Sequence, residues 1–106
     1  MTQGVLLRIF VLQTERHHGV LLYEWLLRSA REMGITGGAA FREVAGYGHH
    51  DRLHEQFFSE LAGDLPVEVV FAMTQSDSEQ FLDLLARERL SLFYIRSPCE
   101  FGRVGE

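Results

Sequence analysis

The sequence predicts an α+β domain of the ferredoxin-like type, a βαββαβ sandwich in which a four-stranded antiparallel sheet carries two helices on one face. Three observations lead there. Two near-continuous apolar runs, Val5–Leu12 and Pro66–Met73, read as buried strands. Each run leads on to a segment with apolar residues at helical spacing. Two weaker strand-like stretches complete the order strand, helix, strand, strand, helix, strand. The 106 residues, 46% of them hydrophobic and 24% charged, suit a single domain over residues 1–106.

Seven of the eight residues from Val5 to Leu12 are apolar, with Arg8 the exception. A charge inside such a strand calls for a carboxylate partner, and Glu68 and Glu43 are the candidates. The polar stretch Gln13 to Gly19 turns the chain towards a helix beginning near Val20. In it Leu22, Trp25, Leu26, Ser29, Ala30 and Met33 recur on one face, and Gly34 supplies the left-handed residue that ends it. Arg16, His17 and His18 form a surface turn to which the sequence gives no role.

Gly37 and Gly38 precede a weaker edge strand over 39–45. A long excursion from Gly46 to Leu65 follows, glycine-bearing at its start and rich in charges and histidines. Connections of that length are uncommon in compact domains unless they are functional or disordered, which makes this one the expected mobile element. After Pro66–Met73, Ser76 and Glu79 have capping-box spacing, and Phe81, Leu84 and Leu85 form the second helix's apolar stripe. A last strand over Leu90 to Arg96 is expected to stop before Pro98.

Two helices cover one face of such a sheet, yet the runs at Val5–Leu12 and Pro66–Met73 are apolar on both alternating faces. The second face therefore needs a partner, and self-association is the simplest cover.

Composition excludes several functions. A net charge of −5 with only ten Lys and Arg residues argues against nucleic-acid binding. Cys99 is the single cysteine, so no intrachain disulfide forms, and the start of the chain has no signal-peptide pattern. A cytoplasmic location is the default expectation. Cys99 has no nearby histidine to activate it, and neither Ser59 nor Ser97 stands in a nucleophile elbow, so no enzyme is expected.

The residues Leu6-Leu7-Arg8-Ile9-Phe10, Gly19 to Tyr23, Gly46-Tyr47-Gly48, Arg52, His54 and Asp64-Leu65-Pro66 resemble the PII-like family catalogued as domain of unknown function 190, over about nine tenths of the chain. The resemblance implies a homotrimer with inward-facing sheets. It also implies an excursion equivalent to the partner-contacting T-loop of PII signalling proteins, with nucleotides bound between subunits at the loop's base. The ligand candidates are then Gly46, Tyr47, Gly48, Arg52, Arg87 and Arg89, and an adenine nucleotide is one candidate ligand. A protein or membrane-protein partner would meet the loop at Leu53, His54, Phe57 and Phe58. PII proteins hold phosphates with a glycine-rich loop before the fourth strand, whereas this chain has Ala86-Arg87-Glu88-Arg89-Leu90-Ser91 there. No cofactor is assigned.

Each of these sites has a plainer reading. Gly46-Tyr47-Gly48 is too short for a phosphate-binding fingerprint, and its glycines serve equally at a strand end needing close backbone approach. Leu53, Phe57, Phe58 and Leu61 suit folding the loop back onto the trimer as well as a partner. Arg87 and Arg89 complement the dipole of the helix they follow. His49, His50 and His54 have a spacing that can bind a transition metal and is also common on solvated loops. Metal homeostasis on the same fold is accordingly the second functional expectation.

Overall fold

The computed structural model describes residues 1–46 and 65–105. Its frame is a four-stranded antiparallel sheet built from β1 (Thr2–Leu12), β4 (Gly38–Arg42), β5 (Pro66–Met73) and β6 (Phe93–Phe101), in the order β4-β5-β1-β6. A small hairpin of β2 (Arg16–His17) and β3 (Val20–Leu21) follows β1 and leads directly into α1 (Leu22–Glu32). The second helix, α2 (Gln75–Arg87), joins β5 to β6. This order and pairing are those of a ferredoxin-like fold.

The two apolar runs become the central strands, each hydrogen-bonded to a neighbour on both sides. Pairing of Ile9 with Val69 and of Leu7 with Phe71 sets the β1–β5 register. On one face Val5, Leu7, Ile9, Val11, Val67, Val69, Phe71 and Met73 join Leu22, Leu26 and Ala30 of α1 and Phe81 and Leu85 of α2 in a single hydrophobic cluster, so both helices lie on that face. Phe71 and Phe81 meet edge to face across it at 5.4 Å between ring centres.

The other face has a different chemistry. Alternation places Leu6, Arg8, Phe10, Ala39, Phe41, Glu68, Val70, Phe93 and Ile95 there. Arg8 and Glu68 form an ion pair in its middle, the first of the two partners expected from the sequence. Phe41 and Phe93 are 56% and 46% exposed, as expected of an apolar face that the helices do not cover.

Helix ends explain where the elements stop. Gly34 (φ 89°) follows Met33, the C-cap of α1, and closes a Schellman turn, with Ile35 N donating to Ala30 O and Gly34 N to Arg31 O. The same motif ends α2, where Leu90 N donates to Leu85 O and Arg89 N to Ala86 O, but here the left-handed position (φ 61°) is held by Arg89. The α2 start lies two residues before the expected capping box: Thr74 is the cap, and its hydroxyl accepts from Asp77 N at 3.0 Å.

Several strand limits also differ from expectation, among them the start of β6 at Phe93 where Leu90 was expected. β1 begins at Thr2, three residues early, and β4 stops at Arg42, short of 45. β6 runs through Pro98 to Phe101, because it is an edge strand in which a missing N–H leaves no ladder bond unmade on its open side. Among the described residues no helix is long and apolar enough to cross a membrane.

Candidate functional site

Antiparallel connectivity delivers several chain ends to one end of the sheet. Leu12 at the close of β1 pairs with Pro66 at the start of β5, Arg42 at the close of β4 pairs with Val67, and Phe93 at the start of β6 pairs with Phe10. Because α2 returns from the far end of β5 to β6, its C-terminus arrives at this end too. The roots of segment 47–64 are tied down here by two backbone bonds, Gln13 N to Leu65 O at 2.7 Å and Glu43 N to Pro66 O at 2.9 Å.

Of the ligand candidates read from the sequence, Gly46, Arg87 and Arg89 are described, and all three belong to this end. Gly46 is half-buried, and a side-chain carbon placed on it would stand 2.6 Å from Glu43 Oε1. The space that a side chain would need at Gly46 is taken by the Glu43 carboxylate. An anion could lie against Gly46 only after Glu43 swings aside.

Arg87 and Arg89 are exposed, and neither enters an ion pair among the described residues. Arg42 shares that state and was missed in the sequence because it sits inside a weak edge strand. It lines a shallow pocket of about 290 Å³ with Gln13, Tyr23, Ala40, Phe41 and Val67, beside the root of segment 47–64. Tyr47, Gly48, Arg52, the partner candidates Leu53, His54, Phe57 and Phe58, and the metal candidates His49, His50 and His54 lie outside the described residues.

A second constellation occupies the same end. The β2–β3 hairpin turns through His18 and Gly19, both at positive φ (51° and 81°), which is the signature of a type I′ turn. Its histidines meet Glu88, the C-cap of α2: His17 Nε2 lies 2.8 Å and His18 Nε2 2.7 Å from Glu88 Oε1. These two hydrogen bonds hold the Glu88 carboxyl below the usual carboxylate range, against the opposing effect of desolvation. Trp25 of α1 backs the pair, with its ring edge-on to His17 at 4.7 Å. The sequence signal for this hairpin was the His18-Gly19 dipeptide, in the place where Asn-Gly usually stands.

Comparison with known proteins gives two similarities. The DUF190 family, described as "Uncharacterized ACR, COG1993", matches residues 4–90. A UPF0166 protein from Aquifex aeolicus (strain VF5) is 35% identical over 78 residues, which is 74% of this chain and 74% of the relative.

Proposed function

The chain belongs to the DUF190 family, and from that premise we propose that it is a PII-like regulatory protein rather than an enzyme. In this reading it is a homotrimer assembled through the open sheet face. A small anionic ligand, with an adenine nucleotide as the first candidate, binds in clefts between subunits. Segment 47–64 then acts on a protein or membrane-protein partner.

The observation that carries the reading is the set of exposed arginines at one end of the sheet. Arg42, Arg87 and Arg89, none in an ion pair among the described residues, stand at the end from which segment 47–64 departs. In a chain of net charge −5, three exposed guanidinium groups at one end are suited to holding an anion by forked hydrogen bonds. A ligand held there touches the root of the segment. Any preference for one state of the segment then shifts its population by the difference in affinity. The open face supports assembly, since Phe41 and Phe93 present half-exposed rings on it.

Titration calorimetry of the purified chain with adenine nucleotides tests the reading. Saturable binding with one site per subunit is expected, weakened at least tenfold by Arg87→Glu combined with Arg89→Glu. Absence of binding by any adenine nucleotide, or binding indifferent to that double change, contradicts it.

A further inference from the structure

We propose that His17, His18 and Glu88 form a site for a divalent transition metal of the zinc class, distinct from any site on the histidines of segment 47–64.

The three donors have the right chemistry and come from the β2–β3 hairpin and the C-cap of α2. Two imidazole nitrogens and a carboxylate oxygen are a common zinc ligand set, leaving a fourth position for water or another ligand. Here the three ligand atoms lie within 4.8 Å of one another. Both imidazole Nε2 atoms converge on one oxygen, Glu88 Oε1, at 2.8 and 2.7 Å. Zinc bonds of about 2.0–2.1 Å in a tetrahedron separate neighbouring ligand atoms by roughly 3.3 Å, so small side-chain rotations suffice to admit the ion.

Adjacent residues of a strand normally point to opposite faces, so His17 and His18 should not share a target. They do so because His18 takes the left-handed conformation at the first turn position, which brings the ring centres to 4.1 Å. Histidine is among the non-glycine residues that this left-handed position accepts, so the turn can hold the His18 ring beside that of His17. Arg16 Nη1 fixes the hairpin through Gly19 O at 2.9 Å, and the edge-on contact with Trp25 fixes the His17 ring. Glu88 caps the C-terminus of α2, where the helix dipole favours a cation. The site would thus clip the β2–β3 hairpin to the end of α2 across 70 residues of sequence.

Trp25 is the chain's single tryptophan and lies against both imidazoles, so it reports on the site directly. The test titrates chelator-treated full chain with Zn²⁺, read by calorimetry, and with Co²⁺, read by its visible ligand-field bands and by quenching of Trp25. One ion per chain is expected. His18→Asn keeps a residue suited to the left-handed turn, and Glu88→Gln keeps the shape of the cap. Each should weaken Zn²⁺ binding at least tenfold and abolish the Co²⁺ quenching while leaving the far-ultraviolet circular dichroism unchanged. Replacing His49, His50 and His54 together by alanine should leave the quenching in place. The proposal is overturned if the chain takes up no Zn²⁺, if His18→Asn and Glu88→Gln bind it as the parent does, or if the triple replacement removes the Trp25 response.

Discussion

Arg8 reaches diagonally across the β1–β5 pair to Glu68, its Nε donating to Oε2 at 3.1 Å and its Nη2 to Oε1 at 3.0 Å. The bond to Glu68 raises the Arg8 pKa, helped by the charges of Glu68 and Glu43 and opposed by desolvation, so the guanidinium stays charged within an apolar sheet face. Glu68 stands opposite Phe10, and the Arg8 guanidinium lies 5.6 Å from the centre of the Phe10 ring. A forked pair of this kind fixes register on a face where apolar residues alone would tolerate slippage. In a double-mutant cycle with Arg8→Met and Glu68→Gln, we expect a coupling of about 1 kcal/mol in urea denaturation. A coupling indistinguishable from zero would show that the pair contributes nothing beyond its separate side chains.

Arg89 occupies a left-handed position that glycine fills at the end of α1. A left-handed conformation costs an ordinary residue about 1 kcal/mol, a cost that glycine largely escapes. Arg89→Gly should therefore stabilise the fold by up to about 1 kcal/mol while weakening anion binding. A variant that is more stable and binds as before would relieve Arg89 of any part in the ligand site.

Much of this architecture is legible in the sequence, for reasons that particular residues make clear. The runs at Val5–Leu12 and Pro66–Met73 announce central strands because one face of each enters the core and the other is apolar apart from the Arg8–Glu68 pair. Gly34 announces a helix end because its backbone conformation suits glycine. Pro98 misleads, since whether proline ends a strand depends on whether that strand lies at an edge, which is a tertiary fact. Thr74 and Ser76 are both competent cap residues by type, and the structure places the cap at Thr74. The His17–Glu88 contact spans 71 positions and depends on the return of α2, so no local pattern contains it. Arg87 and Arg89 were legible as candidates by their place after the second helix, whereas Arg42 carried no such mark.

Glu88 gives the molecule an acid-sensitive contact. Its folded pKa is depressed, chiefly by the hydrogen bonds from His17 and His18, so the unfolded chain takes up a proton at Glu88 first as pH falls. The stability it contributes is fully present above the carboxyl's unfolded value and is lost as pH falls through the lower folded value. Denaturation curves for the parent and Glu88→Gln should therefore differ most at neutral pH and converge in that acidic window. A difference between them that stays constant from neutral pH to below the window would contradict this assignment.

Ligand clefts between subunits exist only if the chain assembles, and the open sheet face with Phe41 and Phe93 is where assembly is expected. Light scattering of the purified chain at micromolar concentration tests this most directly. The account predicts a mass of three times 12.2 kDa, falling towards one chain when Phe41→Glu and Phe93→Glu are combined. A parent mass of a single chain, or a trimer that survives the double replacement unchanged, would contradict it.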